Sequence, residues 1–277
     1  PVEPRDRSRL MVLHRAADRV EHRHFSDLPE YLLPTDLLIV NDTRVLPAKL
    51  ELRKATGAAI PGLFVSEIAP GQWQVMLRTR GKVRAGAELL ALRQDNVPPY
   101  RFTLIEKLND EKGMWRVAVS PVAPAREILA EIGHVPLPPY IEKMRPGDGS
   151  DDESRDREHY QTVYARSGAS VAAPTAGLHF TPELLDRLTR MGVRRAAVEL
   201  DVGLGTFLPV ETETLEAHPM HTEIYSVPPE TVRALRQQRK SGQRIVVVGT
   251  TAVRTLETTA PEILGGDSVP RVEGLRE

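Results

Sequence analysis

Cysteine is missing altogether from the 277 residues, which excludes disulfides, thiolate nucleophiles and iron–sulfur ligation at once. Long apolar runs are missing too. No stretch approaches the roughly 20 residues that span a bilayer, and the charged N-terminus is unlike a secretory signal. The expectation is a cytoplasmic protein with no membrane partner. Aromatic residues are scarce at 5%, and neither sign of charge is in excess, since 37 Lys and Arg against 38 Asp and Glu leave a formal charge of −1. Nucleic-acid binding is therefore not announced by the overall balance and would rest on local patches. Arg78, Arg80, Lys82 and Arg84 are one candidate, and Arg233, Arg236, Arg239 and Lys240 on a helix are another; such groups are more often solvated faces. What is present, 40% hydrophobic and 27% charged residues, is the make-up of a globular chain long enough to bury a sizeable core.

The pattern changes texture twice. Leu37 to Val40 reads as a buried strand, and Asn41-Asp42-Thr43-Arg44 as the polar turn at its end. From Val45 to about Val119 short strand-like runs follow one another (Trp73 to Leu77, Glu88 to Leu90, Tyr100 to Glu106, Trp115 to Val119), with a hairpin loop at Asn109 to Gly113. No helical period interrupts them, which predicts a small all-β barrel. A helix is expected at Ala125 to Ile132, extended chain at Gly133 to Tyr140, and a mobile acidic loop at Gly147 to Arg157. Beyond it strands at Arg195 to Val202 and Arg244 to Val248 alternate with helices after Thr181, at Pro229 to Lys240 and from Ala252. The reading is a mixed-sheet α/β domain over 1–45 and 120–277, interrupted by the barrel at 46–119.

Four segments carry chemistry-bearing residues. Ala172 to Thr181 puts Thr175, Gly177 and His179 in a short loop before a helix for which Thr181 is a good N-cap and Pro182 a good first residue. Function and mere turn-shaping are equally good accounts of that loop alone. Arg244 to Glu257 is a clean strand-turn-helix in which Gly249, Thr250, Thr251 and Arg254 suit a carboxylate or phosphate at a helix N-terminus; it is neither a Walker loop nor a dinucleotide fingerprint. Gly203, Gly205 and Thr206 let a flat ligand approach a strand end, with Phe207 available for stacking, although a glycine bulge explains them as well. His218, His221, Glu223 and Tyr225 cluster within a short span. The His-x-x-His spacing and the lack of cysteine fail a zinc site, so no metal is expected, and general acid–base work fits better.

Taken in order, these segments resemble the S-adenosylmethionine:tRNA ribosyltransferase-isomerase family of queuosine biosynthesis. The resemblance is carried by Leu38 to Leu50, Pro136 to Ile141, Tyr160 to Tyr164, Ala172 to Phe180, Val202 to Phe207, His218 to Tyr225 and Val248 to Glu257. It implies a discontinuous α/β domain around a β-barrel and a reaction in which S-adenosylmethionine donates its ribosyl carbons to the aminomethyl-deazaguanine wobble base of a tRNA. Adenine and methionine leave, and the product is epoxyqueuosine-tRNA. S-adenosylmethionine is then a co-substrate, with no prosthetic group. The tRNA bearing the precursor base is the partner, and the protein is a monomer. A sulfonium acidifies the neighbouring ribose carbon, so a base can remove that proton, and departing adenine needs a proton donor. On this reading His179, His221 and Glu223 share those roles with His218 in reserve. Thr175, Gly177, Gly203, Gly205, Thr206, Gly249, Thr250, Thr251 and Arg254 hold the donor, and Asn41, Asp42, Thr43 and Arg44 line the same cleft.

The chain departs from the family pattern at Leu200-Asp201-Val202-Gly203, where members read Leu-His-Val-Gly, and at Ala58 to Gly62. Members also begin earlier and continue past Glu277 with a Thr-Asn-Phe-His-Leu-Pro segment, so the expectation is a chain truncated at both ends. Two other readings compete: an S-adenosylmethionine-dependent RNA methyltransferase, told apart by its nucleoside product, and a non-catalytic tRNA-binding relic, told apart by salt-sensitive binding without donor consumption.

Overall fold

The computed structural model describes residues 2–79, 83–92, 99–108, 113–142, 153–203, 223–265 and 272–276. They group into two compact units, Pro1–Val45 with Glu158–Glu277, and Leu46–Arg157. The sequence reading ends the barrel segment at 119, whereas the second compact unit runs on to Arg157.

The first unit opens with a hairpin of β1 (Arg9–His14) and β2 (Arg19–His24), a 3₁₀ segment at Phe25–Tyr31, then β3 (Leu37–Asn41) and β4 (Thr43–Val45). The second unit follows with β5 (Lys49–Lys54), β6 (Ala59–Ala69), β7 (Gln72–Leu77), β8 (Glu88–Ala91), β9 (Tyr100–Lys107) and β10 (Met114–Ser120). They pair in the order β5-β6-β7-β10-β9-β8, and β8 returns to β5 through Leu52↔Ala91, which closes an antiparallel barrel. Closure leaves no free edge among these strands. Alternate residues fill the interior: Trp73, Val75 and Leu77 of β7 are buried between partly exposed neighbours, and Trp73 meets Phe64 and Phe102 edge-on at 5.0 and 5.6 Å. Helix α1 (Ala125–Ile132) turns Ala125, Ile128, Leu129 and Ile132 inward, and β11 (Gly133–His134) pairs with the start of β5.

Two expectations fail in this unit. Gly133 to Tyr140 is not uniformly extended, because α2 (Pro139–Glu142) begins within it. Of the acidic stretch 147–157 expected as a mobile loop, 147–152 lie outside the described residues, and Glu153 to Arg157 belong to α3 (Glu153–His159), a helix with no buried residue whose Arg157 donates to Glu153 one turn back at 3.0 Å. Its half-buried face is Glu153, Asp156 and His159, so the helix has no apolar stripe by which to be read.

The chain then returns to the first unit with β12 (Ser167–Ser170), a 3₁₀ turn at Thr175–His179, α4 (Pro182–Arg190), β13 (Arg194–Asp201), β14 (Glu223–Val227), α5 (Pro229–Lys240), β15 (Ile245–Val247), α6 (Gly249–Leu264) and β16 (Val272–Arg276). The main sheet has the order β15-β3-β13-β14-β16, with β15 and β13 parallel to β3 and β14 antiparallel to both β13 and β16. β3 is buried along its whole length. Leu37 and Ile39 pack toward Val232, Leu235, Ala252 and Ile263 of α5 and α6, while Leu38 and Val40 pack toward Tyr164, Phe180, Leu184 and Leu188. Burial on both faces explains why this strand reads as a continuous apolar run; each such side chain contributes about 1.5–3 kcal/mol. The fold is thus mixed α/β with a closed β-barrel, as its sequence texture indicates. No described helix is long and apolar enough to cross a membrane.

Candidate functional site

Because β15, β3 and β13 run in one direction, their carboxyl ends open on one edge of the sheet. There lie Asn41 to Arg44 after β3, Asp201 to Gly203 after β13 and Gly249 to Thr251 after β15. Ligands of open α/β sheets collect at this edge.

Asn41 binds the three turns to one another. Its Nδ2 donates to the Leu200 carbonyl at 3.0 Å and to the Thr251 hydroxyl at 3.2 Å, while its Oδ1 accepts from the backbone N–H of Leu200 (3.1 Å) and of Thr43 (3.2 Å). Every hydrogen-bonding position of the amide is used, and the residue is fully buried. Thr43, equally buried, donates its hydroxyl to Asp201, the residue that stands where the family pattern has histidine. Gly168 makes room for that bond. Its φ is +107°, and a Cβ there would lie 2.3 Å from Thr43 Oγ1 and 2.7 Å from Asp201 Oδ1.

The loop at 172–181 is fastened to the same edge. Buried Ser170 accepts from Val202 N–H at 3.0 Å and donates to the Ala172 carbonyl at 2.7 Å, and Val171 N–H donates to Val202 O at 3.0 Å. Further on, the Thr175–His179 turn meets the start of α6. Gly249 has φ +83°, and a Cβ added to it would be 3.3 Å from Ala176 Cβ. Thr175 and Thr250 are exposed at this junction. α4 then starts as its sequence predicts, with Thr181 Oγ1 accepting from Leu184 N–H at 3.1 Å.

Gly177 is required for a reason its sequence does not reveal. A Cβ there would sit 2.1 Å from the Tyr164 hydroxyl and 2.9 Å from Thr162 Cγ2, so the phenol lies directly under the turn. The Tyr164 and Thr162 hydroxyls are both buried with no hydrogen-bond partner among the described residues, and burial makes the phenol hold its proton more tightly than usual. Tyr164, Phe180, Phe25 and His179 form a chain of ring contacts, at 6.0, 4.9 and 5.4 Å.

His179 is held by a residue far away in sequence, since its Nδ1 lies 2.9 Å from Ser8 Oγ. Ser8 donates its only proton to the Arg5 carbonyl at 2.9 Å and so accepts from Nδ1–H. In that tautomer Nε2 keeps its lone pair for chemistry. Burial lowers the histidine's pKa, which favours the neutral ring. On the other side of the edge, burial raises Asp42 to about 6, with Arg166 opposing and Glu199 adding to the shift. Asp42 is therefore a carboxyl poised near neutrality.

Glu223 and Arg254, assigned separate roles from the sequence, form an ion pair that joins β14 to α6. Arg44 is exposed and donates to the Ala165 carbonyl at 3.3 Å. Gly203 lies beside the Ser170 stitch, whereas Gly205, Thr206, His218 and His221 fall outside the described residues. Among those residues no cluster of three His, Asp or Glu is arranged to hold a metal ion. Ser8, Tyr164, Thr162 and Gly168 were not legible as site residues, because their parts depend on contacts between distant segments.

The family described as "Queuosine biosynthesis protein" matches residues 1–271. The S-adenosylmethionine:tRNA ribosyltransferase-isomerase of Thermotoga maritima is 48% identical over 260 residues, which are 94% of this chain and 72% of that protein. The proteins of the same name from Moorella thermoacetica and Thermus thermophilus are 45% and 44% identical, over 94% and 95% of this chain and 72% and 73% of their own. A crystal structure of S-adenosylmethionine tRNA ribosyltransferase from Thermotoga maritima aligns with 100% of this chain and 72% of its own at 34% identity, with a TM-score of 0.41. On the extent of these matches, the chain belongs to the queuosine biosynthesis family.

Proposed function

We propose that this chain is a transferase and isomerase that moves the ribosyl carbons of S-adenosylmethionine onto the precursor base of a tRNA, releasing adenine and methionine. The reading is supported by relatives 43–48% identical over most of the chain that bear that enzyme's name. The geometric observation that carries it is the approach of Gly249 to Ala176, with the Asn41–Thr251 bond beside it, which brings the 175–179 and 249–251 turns together at the edge where β3 ends. No matched relative named above is a methyltransferase.

His179 is the proposed base. Its neutral ring, its Nδ1–H held by Ser8 and its Nε2 lone pair suit removal of the proton that a sulfonium acidifies on the adjacent ribose carbon. The electron pair left on that carbon drives opening of the sugar, and adenine departs with a proton supplied by the acid, a role proposed for His221 with His218 in reserve. Glu223, paired with Arg254, orients that guanidinium toward the donor's carboxylate or ribose hydroxyls. The exposed hydroxyls of Thr175 and Thr250 and the amides of the Gly249 turn complete the donor site, with Gly177, Gly203, Gly205, Thr206 and Thr251 shaping it. Asp42 and Arg44 line the cleft, and Thr43, buried and bonded to Asp201, supports their turn. S-adenosylmethionine serves as co-substrate without a prosthetic group, and the enzyme acts as a cytoplasmic monomer.

The test is adenine release from S-adenosylmethionine on precursor-bearing tRNA. Adenine as product supports the reading; S-adenosylhomocysteine in its place, or binding without donor consumption, would overturn it. His179→Ala should lower kcat by about 10²–10⁴ while leaving tRNA affinity intact.

A further inference from the structure

A cavity of about 330 Å³ opens beside the candidate site, between the segment after Tyr160 and the start of α4. Its lining is apolar at Val163, Pro182 and Leu185 and charged at Arg166, Arg195 and Asp186. Both arginines are exposed, and Arg195 has no ion-pair partner among the described residues. Among the described residues Arg166 approaches Asp42, at 4.0 Å, and three-quarters of its side chain is free to solvent. A third guanidinium, that of Arg44, is tied to the carbonyl of Ala165, another residue of the cavity wall.

The cavity shares two walls with the candidate site. Tyr164 lines it and carries its buried hydroxyl under Gly177, and Arg166 faces the carboxylate of Asp42 in the turn after β3. Whatever occupies it is the immediate neighbour of what occupies the site. At this volume it is at the small end of ligand pockets, which run to about 300–1,000 Å³, and so takes one compact group. A lining of apolar side chains and two guanidinium groups fits a base with its phosphate. The positively charged sulfonium donor is the poorer match.

We infer that this cavity seats a nucleotide flanking the modified base in the tRNA anticodon loop, with the base against Val163, Pro182 and Leu185 and the phosphate on Arg166 and Arg195. Asp186 is placed to accept a hydrogen bond from an amino group on the base edge. The inference rests on the proposed reaction with tRNA, and it names the part of that substrate which this surface recognises.

The test titrates an anticodon stem-loop bearing the precursor base against the wild-type chain, Arg166→Ala, Arg195→Ala and the two Lys variants at several salt concentrations. Each Ala variant should raise Kd about tenfold. Each should also make log K against log salt shallower by about 0.7, the increment for one phosphate of a single strand. The Lys variants should keep the slope, and S-adenosylmethionine affinity should stay unchanged in all four, which shows that they fold. An abasic site next to the modified nucleotide should cost the wild-type chain about tenfold or more. Unchanged Kd and slope in the Ala variants would overturn the inference, and a reduced slope without any effect of abasic sites would overturn its seated base. Adenine release by the wild-type chain decides separately: release on whole tRNA with these variants behaving as wild type leaves the reaction standing and removes only this cavity, whereas no binding and no release removes both.

Discussion

Gly177→Ala puts the packing under the candidate base to a quantitative test. The added methyl would begin 2.1 Å from Tyr164 Oη, 3.0 Å from Tyr164 Cζ and 2.9 Å from Thr162 Cγ2. Overpacking of this kind costs about 1–3 kcal/mol, and the loss of glycine's freedom in the unfolded chain offsets about 0.4–1 kcal/mol of it. Tyr164→Phe alone should be nearly neutral in stability, because the hydroxyl it removes is buried without a partner among the described residues. In the double variant the closest contact is gone, and what remains needs shifts of only a few tenths of an ångström. The two substitutions should therefore couple favourably by about 1 kcal/mol. Urea denaturation of all four proteins, with m-values checked for constancy, measures this. Adenine-release rates should follow the same order, since the Gly177 turn ends at His179. Additivity within about 0.5 kcal/mol, or an alanine variant as stable as the wild type, would refute the placement of the phenol beneath the turn.

Asn41→Ala should destabilise by about 3–5 kcal/mol, since it leaves the buried N–H groups of Leu200 and Thr43 unpaired and frees Thr251; a loss under about 1 kcal/mol in urea unfolding would contradict the clamp. Asp42 is raised on folding from 3.8 to about 6, so the folded state binds its proton more tightly and stability from this group declines as pH rises from 3.8 through about 6. Asp42→Asn should remove that decline, which unfolding curves across the window can detect; identical pH profiles would show that the carboxyl titrates normally. Asp201→Asn keeps an acceptor for Thr43 and should cost no more than about 1 kcal/mol, whereas Asp201→Ala strands a buried hydroxyl and should cost about 1–3 kcal/mol. Equal stabilities for the two variants would count against the Thr43–Asp201 bond.

The parts of the fold that were legible are those where one physical pattern dominates. Helices α1 and α5 begin and end where their apolar period and their proline and glycine punctuation place them, and β3 stands out because it is buried on both faces. β6 was not legible because it contains Pro61 and Gly62 and shows no clean alternation; β5 does alternate, with Leu50 and Leu52 buried between Lys49, Glu51 and Arg53, but it is short and rich in charge. The hairpin of β1 and β2 escaped for a related reason, since most of its residues are partly or wholly exposed and no buried face marks its period. At the candidate site, the glycines and threonines at strand ends pointed to one sheet edge, but whether a residue meets a ligand or its own neighbours is not a local property. Asn41 looked like a ligand-facing amide, and its hydrogen bonds are consumed within the protein.

His179 shows most clearly what the sequence withholds. Its loop is read easily from Pro174, Gly177 and Thr181, yet the nitrogen that is free to act is decided by Ser8, 171 residues away. Ser8 is itself placed by the segment around Arg5, whose buried guanidinium donates to the carbonyls of Gln161 at 2.7 Å and Glu158 at 2.8 Å. Gln161 in turn accepts from Val45 N–H at 3.1 Å and so ties the same region to the end of β4. The imidazole is thus oriented by a chain of hydrogen bonds that runs from β4 through Gln161 and Arg5 to Ser8. Ser8→Ala should leave the loop folded and free the imidazole to change tautomer, so its effect belongs in kcat and its pH profile rather than in substrate affinity.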